Sequence, residues 1–296
     1  MAQPLVSVLL PVHNGGRALL LAVWSILGQS LRDWELLVLD DGSTDAALAS
    51  LDRVADVRVR IVHDSVRRGL AARLNLGIEL ARGKYFARMD HDDVAFPERL
   101  QKQAGFLENF DDVDLLGTRA LVFSEEGKVL GLLPFRQHHE SICRRPWLGF
   151  HLPHPTWMGR ADWFRRHRYR IPEPKRAEDQ DLLLRTYAMS RFACLPDVLL
   201  GYRISGASLG KLFAARMSLG RAQLRAHLRG GRPGLAFLGA GVSLAKASVD
   251  TALTVMGRTL RTARSLERPV EPAVLAEWER LWTEANKRAV EMGKAE

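Results

Sequence analysis

Trp34-Glu35-Leu36-Leu37-Val38-Leu39-Asp40-Asp41-Gly42-Ser43-Thr44-Asp45 reads as an apolar strand that ends in an acidic turn and feeds a helix. The apolar run over 35–39 is strand-length, and helical spacing resumes over 45–54. Upstream, 6–10 is another apolar run, ended by Pro11, and 18–27 has helical spacing that stops near Gly28. Downstream, 57–62 reads as a third strand, 70–81 as a helix closed by Gly83, and 84–89 as a fourth strand. Strands separated by such helical runs are βαβ units, so a mainly parallel α/β sheet is expected.

The middle of the chain, about 96–202, is mixed. A helix is expected at 97–109, strands at 113–123 and 128–133 around the turn Glu125-Glu126-Gly127, a helix at 179–189 and an extended run at 192–200. Beyond 211 only helical patterns remain. The chain has 296 residues, 47% hydrophobic and 26% charged, which excludes disordered, collagenous and coiled-coil classes. Cys143 and Cys194 are too few for a disulfide framework or a cysteine zinc site and suit a reducing compartment. The first residues lack a basic leader region and read as a strand. The low-charge stretch 234–257 holds Lys246 and Asp250 near its middle, which argues against a membrane span. The expected location is cytoplasmic, with peripheral placement on the cytoplasmic membrane face left open.

In open α/β sheets, ligands bind outside the carboxyl ends of the strands. Asp40 and Asp41 end the second strand; Asp90, Asp92 and Asp93 end the fourth. Carboxylates packed together need a cation or donors to compensate them. Oxygen ligands suit Mg²⁺ or Mn²⁺, typically with substrate phosphates completing the coordination. Asp90-His91-Asp92 therefore reads as a metal bridge to a diphosphate, against the alternative of a solvated acidic turn. No G-x-G-x-x-G follows a strand and no G-x-x-x-x-G-K-[ST] occurs, which weighs against dinucleotide oxidoreductases and P-loop NTPases.

The motifs taken together are Val6-Ser7-Val8-Leu9-Leu10-Pro11-Val12-His13-Asn14, Ser25-Ile26-Leu27-Gly28-Gln29-Ser30, the stretch quoted first, and Ala87-Arg88-Met89-Asp90-His91-Asp92-Asp93. This set resembles the family 2 glycosyltransferases over roughly 6–203. The resemblance implies a GT-A fold: a Rossmann-like, nucleotide-binding mixed sheet flanked by helices. It also implies a nucleotide-diphosphate sugar donor (a UDP-sugar favoured), a divalent metal and inversion at the anomeric carbon. By the same resemblance, Pro11, Val12, His13 and Asn14 belong to the loop at the base, with His13 where many relatives have Tyr. Asp41 looks like the carboxylate that reads the base edge; the alternative is a helix N-cap. Asn75 resembles a residue beside the nucleotide. Asp92 resembles the main metal ligand, with Asp90 supporting it through water or the ribose.

Glu178-Asp179 resembles the family's catalytic acidic pair. Inverting transfer needs a base for the acceptor proton, and Asp179 fits at the start of a helix. An acidic first helical turn is the alternative. His154 matches a position near the acceptor and diphosphate. Arg185 and Arg203 could neutralise diphosphate or form ordinary ion pairs, and Trp147 and Trp157 are more readily core than sugar platforms. Processive relatives carry Gln-x-x-Arg-Trp near this point, followed by spans. Here Asp181-Leu182-Leu183-Leu184-Arg185-Thr186 stands instead, which points to single additions.

The charge is uneven. Residues 1–210 carry 28 basic and 26 acidic side chains; 211–296 carry 15 and 8. The segment 211–229 is an amphipathic helix with Phe213, Met217, Leu224 and Leu228 on one face and Arg221, Arg225 and Arg229 in a stripe. It suits an anionic membrane surface, or packing on the catalytic domain with solvated arginines. Nucleic acid is not an expected partner, because aromatics are not interleaved with the basic residues. The expected organisation is a catalytic domain over 1–210, with a nucleotide-sugar half to about 95 and an acceptor half to 210, then a basic helical extension over 211–296. The expected function is metal-dependent sugar transfer to a saccharide or lipid-linked acceptor in cell-envelope synthesis. The alternatives are a sugar-phosphate nucleotidylyltransferase and a catalytically dead assembly protein at the membrane.

Overall fold

The computed structural model describes residues 3–51, 54–172, 176–204, 209–255 and 266–293. Its first part runs β1 (Val6–Val12), α1 (Gly16–Leu27), β2 (Trp34–Asp40), α2 (Ala47–Leu51), β3 (Val59–Val62), α3 (Leu70–Leu80) and β4 (Tyr85–Arg88). The four strands pair in parallel in the order β3-β2-β1-β4. Every residue of β1 and β2 is buried, because a central parallel strand is covered on both faces. Val12 pairs with Asp40, so the carboxyl ends of the two central strands, with their polar loops, lie side by side.

The second part runs β5 (Val94–Ala95), α4 (Arg99–Asn109), β6 (Leu115–Phe123), β7 (Val129–Leu132), α5 (His139–Ile142), β8 (Met158–Arg160), α6 (Ala161–Arg166), α7 (Glu178–Thr186) and β9 (Phe192–Arg203). β8 lies antiparallel between β4 and β6, and β9 runs parallel to β6 with β5 on its far side. The sheet is therefore continuous and mixed, flanked by helices. β9 crosses Pro196 by a bulge: Leu195 pairs with Thr118 and Val198 with Arg119, so the proline, which has no N–H, drops out of the ladder. The helix expected at 45–54 is the short α2, and α7 ends at Thr186 rather than 189. β5 and β8 are two and three residues long, too short to show a period of two.

Among the described residues, three helices follow: α8 (Leu209–Arg229), α9 (Pro233–Val255) and α10 (Pro272–Gly293). The boundary expected at residue 210 does not divide the core. Trp278 of α10 is 1% exposed and sits in one buried cluster with β1, β4, β6 and α1, together with Ala285 and Ala289. Its ring lies 4.6 Å from that of Phe123, and its Nε1 donates to Gly127 O at 2.9 Å. A Cβ on Gly201 would stand 2.4 Å from the Trp278 ring, so strand β9 accommodates the indole through a glycine. α8 and α9 instead form a hairpin against α7 and the helical turn at 146–148.

Removing the Trp278 indole leaves a cavity in the main core. We expect Trp278→Ala to destabilise the protein by about 3–5 kcal/mol, read from urea unfolding. A shift below 1 kcal/mol would show that α10 is an appendage.

Candidate active site

The turn after β4 gathers the acidic residues around one buried cation. Arg88 donates through Nη1 to Asp90 Oδ2 at 2.7 Å and through Nη2 to Asp90 Oδ1. Asp92 sits two residues on, and burial with the neighbouring Asp90 charge pushes its carboxyl above the ordinary value. Asp93 is raised further by burial and by Asp90 and Asp92, although its Oδ1 accepts the Arg203 N–H at 2.9 Å. Its Oδ2 has no hydrogen-bond partner among the described residues. Arg203, at the end of β9, donates through Nε to Asp92 O at 2.8 Å. Its guanidinium lies 4.8 Å from the Phe123 ring and 5.6 Å from Trp282 of α10.

The opposite wall comes from α7 and the loop before it. Burial raises the Asp179 carboxyl; bonds from Gln180 and the charge of Arg88 oppose this. Gln180 Nε2 donates to Asp179 Oδ2 at 3.2 Å, while Gln180 Oε1 accepts the Phe150 N–H at 2.8 Å. His154 Nε2 lies 2.7 Å from Tyr169 Oη, and its Nδ1 is 3.9 Å from Glu178 Oε1. Burial, then the charge of Arg88, holds the imidazole well below its ordinary pKa, and burial raises the Tyr169 phenol. A neutral phenol donating to Nε2 leaves the proton of a neutral His154 on Nδ1, facing Glu178.

A cavity of about 610 Å³ lies between these walls, lined by Arg88, Asp90, Asp92, His154, Glu178 and Asp179. Arg203 is also on its wall, as are Leu212 and Ala215 of α8. The structure thus brings the expected metal and base residues to one space. Arg88, Tyr169 and Gln180 were not singled out in the sequence. An arginine inside the otherwise apolar strand Tyr85-Phe86-Ala87-Arg88 was the available signal, because a buried cation needs carboxylate partners.

The expected nucleotide residues form a neighbouring cluster. Asp41 Oδ1 accepts the N–H groups of Arg68 (2.7 Å) and Gly69 (3.1 Å) and Nε of Arg73 (2.8 Å). It therefore anchors the start of α3 rather than capping α2. Asn14 has φ 53° and accepts the Thr44 N–H at 2.7 Å, tying the β1 loop to the β2 loop. His13 Nδ1 is 3.0 Å from Asp41 O, and Pro11 and Val12 are buried in β1. A Cβ on Gly15 would stand 3.3 Å from the His91 ring, so this cluster adjoins the acidic turn. Two of the candidates have partners within the protein. Asn75 spends both ends of its amide on the Tyr169 backbone, at 2.9 and 3.0 Å. Arg185 is an ion pair with Asp181 at 2.9 Å and is not on the cavity wall. Trp157 is fully buried and packs against His154.

Among the described residues, no group of three His, Cys, Asp or Glu side chains is arranged to hold an ion by itself. Asp92, with Asp90 beside it, is an oxygen-only pair facing open space. That donor set fits Mg²⁺ or Mn²⁺ completed by phosphate oxygens.

The family described as Glycosyl transferase family 2 matches residues 7–168, more than half of the chain. This protein is a family 2 glycosyltransferase. EpsE of Bacillus subtilis (strain 168), provisionally named a glycosyltransferase, is 37% identical over 190 residues, covering 62% of this chain and 67% of that one. Among solved structures, S. aureus TarS (residues 1–349) with UDP-GlcNAc superposes with a TM-score of 0.60 at 18% identity. The match covers 96% of this chain and 81% of TarS. The mannosyltransferase PcManGT from Pyrobaculum calidifontis, in complex with GDP-Man and Mn²⁺, gives 0.58 at 19% identity, covering 99% and 87%. At these identities the structural likeness establishes the GT-A fold of the family 2 enzyme.

Because burial and Arg88 disfavour the imidazolium, we expect His154 to stay neutral, with its proton on Nδ1, from pH 8 down to pH 6. Nitrogen-15 NMR of the labelled imidazoles reads both charge and tautomer. A protonated His154 at pH 6 would overturn this assignment.

Proposed function

We propose that the enzyme moves one sugar at a time from a nucleotide-diphosphate sugar, a UDP-sugar by preference, to an acceptor hydroxyl, with inversion. The observation that carries the reading is the cavity itself. Asp90 and Asp92 stand on one wall and Asp179, with its raised carboxyl, on the other. Asp92, supported by Asp90, would hold Mg²⁺ or Mn²⁺, which supplies positive charge to the departing diphosphate. Arg88 and Arg203 add fixed cations beside the same position. Asp179 takes the proton of the acceptor hydroxyl as its oxygen bonds to the anomeric carbon. The bond from that carbon to the diphosphate breaks, and the diphosphate leaves with the electron pair. One displacement inverts the centre. A raised pKa suits Asp179 to this task, because a stronger base removes a hydroxyl proton more effectively. Glu178, near the Nδ1–H of His154, orients that wall.

The donor preference draws on TarS, solved with UDP and UDP-GlcNAc, and the metal draws on PcManGT with Mn²⁺. We place the acceptor among saccharides or lipid-linked saccharides of the cell envelope, with the enzyme at the cytoplasmic face and an anionic membrane surface as its partner. No helix among the described residues is long and apolar enough to cross a membrane. A nucleotidylyltransferase would need its first loop free to grip phosphates, whereas Arg17 is bound to Asn286 Oδ1 at 2.9 Å.

Asp179→Asn is expected to lower kcat by about 10²–10⁴ while UDP affinity stays within a few-fold, since the base acts in the transition state. The base works only when ionised, so activity falls as pH drops through its pKa. The acid limb of kcat should therefore lie above the ordinary aspartate value, and near-normal turnover in the variant would reject the assignment. In calorimetry, UDP should bind with Mn²⁺ and lose at least roughly tenfold in affinity in EDTA, or in Asp92→Asn with Mn²⁺ present. Equal affinity in EDTA would remove the metal from the mechanism.

A further inference from the structure

α9 is built inside out. Its charged residues and Ser243 point into the protein: Asp250 pairs with Arg216 at 3.2 Å, and Ser243 donates to Gln223 Oε1 at 3.0 Å. Lys246 reaches Leu148 O at 3.4 Å. Gln223 in turn is fully buried and donates to Trp147 O at 2.8 Å. The outward face is uncharged and, apart from Ser248, apolar. Over 233–252 every exposed residue of α9 is uncharged, and Phe237 is 67% and Leu244 55% exposed, with Leu238 and Val249 on the same side. The stripe runs from 234 to 252, about 27 Å at 1.5 Å per residue.

α8 extends the surface. It turns Arg216, Gly220 and Gln223 toward α9, and Leu212, Ala215 and Ala222 toward the catalytic domain. Helical spacing leaves Arg221 and Leu228, one heptad apart, on the outer face, and Phe213 and Arg229 are exposed toward the two ends of the helix. Six of the eleven large exposed apolar side chains among the described residues lie on this one hairpin. The acidic residue of the described hairpin, Asp250, is buried against Arg216, so its outer surface carries apolar groups and arginines without carboxylates. A contiguous apolar patch of this kind marks an interaction surface. Its charge complements phosphate headgroups, and its length and shape suit a helix that lies in an interface.

We propose that the α8–α9 hairpin docks on an anionic lipid leaflet, with the α9 stripe in the boundary between headgroups and acyl chains and Arg221 and Arg229 on lipid phosphates. Because Leu212 and Ala215 of α8 also line the catalytic cavity, docking sets the acceptor side of that cavity beside the membrane. The acceptor is then an amphiphile, a sugar headgroup on a lipid anchor. That last step rests on the proposed transfer reaction; the docking itself does not.

Co-flotation with phosphatidylcholine vesicles, with and without phosphatidylglycerol, tests the docking. The protein should float with the anionic vesicles and keep part of its binding in high salt, because the apolar stripe is not screened. Phe237→Ser, Leu244→Ser and Val249→Ser combined should weaken binding at least roughly tenfold. Melting temperature and UDP affinity should not change, since these side chains are exposed. Arg221→Gln with Arg229→Gln should weaken binding chiefly at low salt. The proposal is overturned if the triple variant floats like the parent, if neutral vesicles bind equally, or if neither vesicle binds. It is also overturned if light scattering finds a dimer that the triple variant dissolves, which assigns the face to a second copy. Loss of the transferase reading would appear separately, as absent UDP binding in calorimetry.

Discussion

Burying a guanidinium at the end of a central strand is tolerated only where carboxylates surround it. Arg88 is that group, and the arrangement of the site follows from it. It holds Asp90 and lowers the carboxyl of Asp179 against the effect of burial. After burial, which is the larger cause, its charge also disfavours the imidazolium of His154. A second buried guanidinium, Arg99, donates to Arg88 O at 2.6 Å and Pro155 O at 2.8 Å, joining β4 to the loop that carries His154. Burial pushes Arg99 down to about 9, opposed by Asp93 and reinforced by Arg88. Two cations thus sit among Asp90, Asp92, Asp93 and Asp179, and the charge of the pocket is set by their geometry rather than by solvent. A polar environment fixed in this way needs little reorganisation when charge develops on a substrate.

The parallel half of the sheet was legible because its strands are buried on both faces and therefore read as unbroken apolar runs. The ends of β2 and β4 were legible because aspartates after such runs have few other uses. The short strands β5 and β8 were not, since two or three residues carry no period. Asn75 and Arg185 looked like ligand contacts because their chemistry suits either role; only the chain geometry shows that Tyr169 and Asp181 already occupy them. The role of Arg88 is hidden in the sequence for the opposite reason. Its partners are brought together by β4, α7 and β9, and no local spacing announces that.

The tail shows where pattern reading stops. The amphipathic character of α8 and the low charge of α9 were both visible, but which face meets water depends on what the hairpin packs against. Ser243 and Asp250 of α9 look ordinary in sequence, and they face Gln223 and Arg216. Likewise the segment after 210 looked uniform, yet α10 belongs with β1 and β6 in the main core while α8 and α9 stay outside it.

The seat of Trp278 beneath Phe123 and Gly201 also governs the order in which the molecule is completed. α10 is made about 250 residues after its partner α1; Arg17 and Asn286, which bond across that interface, are 269 positions apart. At ~5–20 residues per second, the apolar flank of β1 and β4 waits roughly 12–50 s on the ribosome for its covering helix. Contacts so distant along the chain are slow to form and leave the nascent sheet sticky in the interval. The enzyme's yield in the cell should therefore depend on chaperones that shield that flank until α10 arrives.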